Sequence, residues 1–165
     1  MTRNTPLLCL LLGGMWWLSS CQRGVVLHSY QPLAEQTWSN RDTLSFVVDT
    51  LPPSSAYELT VCLRANKRFA YKSLWMVVEQ QWDSPASTHR DTIQVTITGD
   101  SPLPFADGLT FWQKEHPLPL LCPQDARRCR IRLYHIMRLE HIHNLCDVGV
   151  RVLAKGKRQS RAERL

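Results

Sequence analysis

The sequence predicts an all-β protein: a single antiparallel β-sandwich of about seven strands, behind a cleaved lipoprotein signal peptide. Three observations predict it. Apolar and polar residues alternate with a period of two in segment after segment. Clusters of Pro, Ser, Gly and Asp separate those segments, and no stretch sustains a helical period. Short alternating strands with turn-rich links bury their apolar faces by packing two sheets together.

The first twenty residues stand apart from that body. Arg3 is followed by a run without charge from Leu7 to Leu18. Its length fits the apolar core of a secretory signal and is short for a bilayer span. Leu18-Ser19-Ser20-Cys21 resembles a lipobox: an aliphatic residue, two small ones and a cysteine. The Cys21 thiol is the nucleophile that takes a diacylglyceryl group, and its small neighbours let a membrane-embedded peptidase reach the bond before it. Residues 1–20 then leave and Cys21 becomes an acylated N-terminus. Each buried CH₂ of the acyl chains contributes about 0.8 kcal/mol, so two or three chains anchor durably. Gln22 is not the aspartate that retains many lipoproteins in the inner membrane. The expectation is an outer-membrane lipoprotein facing the periplasm, attached to the bilayer through Cys21.

Residues 21–40 read as the lipidated N-terminus and a lead-in segment, and 41–153 as the sandwich. "DTLSFVVDT" sets Leu44, Phe46 and Val48 against Ser45 and Asp49. "AYELTVCLRA" sets Tyr57, Leu59, Val61 and Leu63 against Glu58, Thr60 and Arg64. "DTIQVTITGD" and "RCRIRLYHIM" repeat the pattern through Ile93, Val95 and Ile97, and through Ile131 and Leu133. "VGVRVLA" aligns Val148, Val150 and Val152. "SLWMVVEQQW" departs from it: Leu74, Met76 and Val78 fill one phase while Trp75 and Val77 occupy the other. Two explanations compete. The second phase is covered by the chain's own loops, such as the apolar stretch 108–121, or by another protein for which a tryptophan is a natural hot spot. Tyr71, Trp75 and Val77 are accordingly the candidate partner-binding residues.

Charge separates body from tail. Residues 21–150 hold thirteen basic and thirteen acidic side chains, whereas 151–165 hold six basic residues against Glu163 alone. The basic end, 154–165, reads as a solvated, disordered tail, the alternative being a tail that docks on an acidic partner or anionic lipid. A basic tail can bind nucleic acid, but the expected periplasmic location argues against it, so no nucleic acid is expected as partner.

Reactive constellations are missing. There is no G-x-S-x-G, no phosphate-binding glycine loop and no C-x-x-C. Cys122 and Cys129 in "CPQDARRC" form the easiest disulfide to close. A second bridge from Cys62 to Cys146 is disfavoured, because Cys62 lies on the polar phase of its strand. "HIMRLEHIHN" offers His135, His141 and His143 beside Glu140. Zinc uses H-x-H pairs, but two ligands are no site and spacing supplies no third, so these read as solvent-exposed loop histidines with no metal. The residues therefore predict no enzyme and no cofactor. The alternative is a lipid-anchored sandwich that binds a glycan on its aromatics or zinc on its histidines, or a cryptic hydrolase.

Three stretches together carry a resemblance: "YQPLAEQTWSNRDTLSF" from Tyr30, "FAYKSLWMVVEQ" from Phe69 and "MRLEHIHNLCDVGVRV" from Met137. In order and spacing they resemble the gliding motility lipoprotein GldH family of the Bacteroidetes. Ala70 and Ser73 stand where that family usually has proline and asparagine. The resemblance implies a non-enzymatic envelope lipoprotein that supports assembly or stability of the gliding apparatus and the linked type IX secretion machinery. Its implied partners are other envelope proteins of those systems.

Overall fold

The computed structural model describes residues 24–52, 56–83, 86–97, 111–123 and 126–155. Ten strands run through them: β1 (Val25–Pro32), β2 (Thr37–Ser39), β3 (Leu44–Val48), β4 (Ala56–Asn66), β5 (Ser73–Asp83), β6 (Ala86–Thr96), β7 (Phe111–Leu120), β8 (Cys129–His135), β9 (His141–His143) and β10 (Leu145–Lys155). One four-stranded sheet has the order β1-β10-β4-β7 and the other β3-β8-β5-β6, while β2 and β9 form a separate ribbon. Every pairing is antiparallel. The all-β sandwich expected from the alternation is the architecture observed.

The alternation explains the core. Leu59, Val61 and Leu63 of β4 and Val148, Val150 and Val152 of β10 project inward from the first sheet. Phe46, Val48, Ile131, Leu133, Leu74, Met76 and Val78 meet them from the second, and all are buried. Each such side chain contributes roughly 1.5–3 kcal/mol relative to an exposed one. Among the described residues two polar side chains on inward phases are buried here, His135 at the end of β8 and Gln80. Gln80 of β5 is fully buried and reaches the opposite sheet, where its amide donates to the Pro119 carbonyl (3.0 Å) and accepts from the Leu121 N–H (2.9 Å). That one side chain behaves like a peptide group and ties β7 to β5 across the core.

Four strands lie outside the sequence expectation. The lead-in segment 21–40 contributes β1, paired along its length with β10, and β2, paired with β9. The boundary at 41 therefore moves to the start of β1. Residues 111–120, expected among the covering loops, are β7 at the edge of the first sheet, paired with β4. They do not lie over the outer face of β5. β7 hides from pattern reading because its inward phase includes Lys114 and His116, and because Pro117 and Pro119 interrupt it. Both features suit an edge strand, where proline and inward charge discourage further pairing. At the other boundary Ala154 and Lys155 belong to β10, so the last sheet runs two residues further than the expected end at 153.

Gly149 shows why "DVGVRV" tolerates a glycine mid-strand. The Tyr30 ring of β1 lies over it. A Cβ there would stand 2.5 Å from Tyr30 Cδ1 and 2.7 Å from the Ser29 carbonyl oxygen. The ring continues toward Cys62 of β4, and the Arg64 guanidinium sits 5.4 Å from its centroid. Burial, then the neighbouring Cys62, push the Tyr30 hydroxyl up to about 12.

The register gives the sandwich two distinct ends. β1 begins, β10 ends, β4 begins and β7 ends at one of them, since Val25 pairs with Leu153, Lys155 with Ala56 and Tyr57 with Leu120. The segment after β3 and the one before β8 meet there too, through Leu51 N–H donating to Arg127 O (2.8 Å). This pole is called the anchor-side pole after the lipidation expected at Cys21, from which β1 is separated in sequence only by Gln22, Arg23 and Gly24. The distal pole, one strand length away, carries the β2–β9 ribbon, the 66–73 connection and the 136–140 connection.

Candidate docking surface

β8 ends at His135, and the chain runs on across the start of β5. Ile136 N–H donates to Trp75 O (3.0 Å), and Trp75 N–H points to Met137 Sδ (3.5 Å). This lays Ile136 and Met137 beside Trp75, and Leu139 follows in the same connection at this pole. Trp75 is 43 % exposed, Ile136 45 % and Leu139 43 %. Single exposed apolar residues need no explanation, but a group of them at one place marks a contact surface.

The connection is held from beneath. Trp38 of β2 is fully buried, donates from Nε1 to Asp42 O (3.2 Å) and meets His135 edge-on, with ring centroids 5.4 Å apart. The Trp38 carbonyl accepts a bond from His135 Nε2 (3.2 Å), which fixes the proton on that nitrogen. Nδ1 is then a buried acceptor with no hydrogen-bond partner in the structure. Burial lowers the His135 pKa below the ordinary imidazole value, so the ring is neutral. Left-handed backbone at Glu35, Gln36 and Asn144 turns the chain tightly into β2 and out of β9. Asn66 N–H closes on Asn144 O at 2.8 Å.

Of the three predicted partner-binding residues, Trp75 alone presents itself openly. Tyr71 is half-buried, packs on the core and stands edge-on to Phe69 at 5.4 Å. Val77 is 5 % exposed, flanked in register by Tyr134 of β8 and Thr92 of β6. Next along the same face Glu79 is buried under both neighbouring strands. Arg90 binds one carboxylate oxygen, Tyr134 Oη donates to the same oxygen (3.3 Å), and Arg132 bonds the other (3.3 Å). The second phase of β5 is thus covered by long side chains of its own sheet. Neither a loop nor a partner is required there, except at Trp75. Ile136 and Leu139 escaped the sequence reading, although the alternation of "RCRIRLYHIM" fails at His135-Ile136 and marks the place.

His141 and His143 lie on a short strand rather than a loop. Both are exposed on one side of buried Ile142, with near-parallel rings 6.3 Å apart. Thr37 Oγ1 engages His143 Nδ1 at 3.0 Å. No three metal-ligating side chains cluster among the described residues.

The bridge expected between Cys122 and Cys129 is not formed. All four described cysteines are free. Cys129 points into the core from β8, while Cys122 comes after β7 of the other sheet and its thiol faces the carbonyls of Pro123 (3.3 Å) and Ala126 (3.8 Å). Burial pushes Cys129 up to about 12, with Cys122 adding to the effect, and it raises Cys62, Cys122 and Cys146 as well. Thiols held protonated are poor nucleophiles. Cys21 lies outside the described residues.

The described residues form an antiparallel sandwich, a lipoprotein-sized β domain with Trp75, Ile136 and Leu139 exposed toward its distal pole. A search of curated proteins finds no match. The family model described as GldH lipoprotein matches residues 25–152, from the first residue of β1 into the last strand. The chain belongs to the GldH lipoprotein family, and is a gliding-motility-related lipoprotein anchored at the cell envelope.

Proposed function

We propose that this chain is a non-enzymatic adaptor on the periplasmic face of the outer membrane. Acylated Cys21 tethers it, and the distal pole docks on envelope proteins of the gliding and linked type IX secretion machinery, supporting their assembly or stability. One observation carries the reading. The exposed apolar side chains of Trp75, Ile136 and Leu139 lie at the end of the sandwich opposite to the start of β1 at Val25, the residue four positions after Cys21 in sequence. An eleven-residue strand such as β5 spans about 37 Å, so a short tether holds this patch well clear of the bilayer. Partners embedded in or reaching toward the membrane from the periplasm meet it there.

The test is photocrosslinking in cells of a native host. A crosslinking amino acid at Trp75 or Leu139 is expected to capture discrete envelope proteins. The same probe at Arg127, on the anchor-side pole, is expected to capture none of them. Identical products from both poles, or none from the distal one, overturn the proposal. Cys21→Ser in the same strain is expected to abolish palmitate labelling, and a labelled band in that variant refutes the anchor.

A further inference from the structure

β9 holds two imidazoles in a setting that their spacing in sequence does not reveal. His141 and His143 lie on one side of the strand, and buried Ile142 between them pins it to the core. β2 pairs alongside, setting Thr37 opposite His143 and Ser39 opposite His141. The cross-strand neighbours of the rings are therefore short hydroxyl side chains, and both histidines stay exposed. Arg41, just after β2, is answered by Glu140, just before β9, at 3.3 Å, so its charge is balanced.

Thr37 decides which nitrogen of His143 is free. Its hydroxyl has a single hydrogen, and that hydrogen goes to the Glu35 carbonyl (3.1 Å), which can only accept. Toward His143 Nδ1, 3.0 Å away, the hydroxyl oxygen then offers only lone pairs. The bond forms when Nδ1 carries the ring proton and donates it to Thr37 Oγ1. Nε2 is left with its lone pair. A metal-ligating histidine is arranged in this way: its other ring nitrogen donates to a fixed partner that sets tautomer and orientation.

The two rings are within reach of one ion. Their planes differ by 18° and their centroids stand 6.3 Å apart. An ion bound by one nitrogen of each ring, at about 2.0–2.1 Å, needs ring centres no more than about 6.4 Å apart. Exposed side chains turn about their own bonds on the fastest timescales of protein motion, so the nitrogens converge without a backbone change.

We infer that His141 and His143 form an open two-imidazole site for a divalent transition-metal ion of the Ni²⁺, Cu²⁺ and Zn²⁺ class, with Thr37 as its positioning residue. Imidazole suits these ions, whereas Mg²⁺ and Ca²⁺ take oxygen ligands. Two protein ligands leave the other positions to water. The site therefore exchanges its ion, unlike a structural zinc site closed by four protein ligands. The inference is independent of the adaptor reading.

The test is calorimetric titration of the full lipidated protein in detergent with Ni²⁺, an ion that does not oxidise thiols. His141→Ala and His143→Ala are each expected to weaken binding by about tenfold or more, and Thr37→Val by about tenfold, as when a ligating histidine loses its hydrogen-bond partner. Binding is expected to fall between about pH 7.5 and pH 5, across the ordinary imidazole value of about 6.5, because the ligating nitrogens have to be unprotonated. Proton–nitrogen correlation NMR of the metal-free protein is expected to show the His143 proton on Nδ1. The double variant His141→Ala/His143→Ala measures the background from every other histidine. Wild-type protein that binds no more tightly than this variant overturns the site. A His143 proton on Nε2, or Thr37→Val protein that binds as wild type does, overturns the part assigned to Thr37.

Discussion

Gln80 offers the sharpest test of how the two sheets are held. Among the described residues it is the buried amide that crosses the core, and both of its polar ends bind the backbone at the end of β7. In Gln80→Leu the side chain keeps its size, but the Pro119 carbonyl and the Leu121 N–H lose their partners. A polar group left unsatisfied in a buried setting costs about 1–3 kcal/mol. Leu121 is exposed, so water recovers part of its bond, and leucine gains some transfer free energy. The net expectation is a loss of about 2 kcal/mol, or roughly 8 °C in the thermal midpoint for a domain of this size. Urea unfolding monitored by tryptophan fluorescence measures it. Gln80→Glu separates hydrogen bonding from shape. Its carboxyl has to stay protonated to donate to Pro119 O, so its folded pKa is raised. Stability is then greatest below the unfolded carboxyl pKa, about 4.3, and falls as pH rises through the folded value. A Gln80→Leu protein within about 0.5 kcal/mol of wild type, the usual range for an inconsequential surface change, would refute the idea that this amide holds β7.

Gly149→Ala forces a Cβ against the Tyr30 ring and the Ser29 carbonyl, and is expected to cost about 1–3 kcal/mol. Tyr30→Ala in the same chain should restore only part of this in chemical denaturation, since the backbone clash remains. His135 should make the protein acid-sensitive. Its folded pKa is depressed, so folding is unpenalised at neutral pH. Below about 6.5 only the unfolded chain gains the proton, and stability drops by up to about 1.4 kcal/mol per pH unit. His135→Gln should flatten that slope between pH 6.5 and 5 in urea titrations. Maleimide should leave Cys62 and Cys129 unmodified in the native protein and label both in guanidinium, as mass spectrometry will show. Rapid native labelling of Cys129 would contradict its burial.

Much of this protein is legible before folding. Alternation alone places β4, β8 and β10 in the middle of their sheets and β3 and β6 at edges, whereas β5, also central, breaks it. The inward phases so read, Val148-Val150-Val152 among them, are the core. Cys62 falls on the outward phase, as its neighbours in sequence predict. The lipobox-like motif is likewise a local matter, since it consists of the four consecutive residues Leu18 to Cys21. What sequence does not reveal belongs to edges and ends. β7 carries prolines and inward polar groups because an edge strand has one partner and a half-open interior. β1 and β2 read as a lead-in because they complete sheets begun far along the chain. The cover over Val77 and Glu79 also depends on register: only when β6, β5 and β8 align do Arg90, Arg132 and Tyr134 converge on one carboxylate. The exposure of Trp75 beside Ile136 and the meeting of Gly24 with Ala154 are of the same kind. Side-chain period is a property of consecutive residues, whereas adjacency between residues 75 and 136, or 24 and 154, is created by strand pairing across the whole chain.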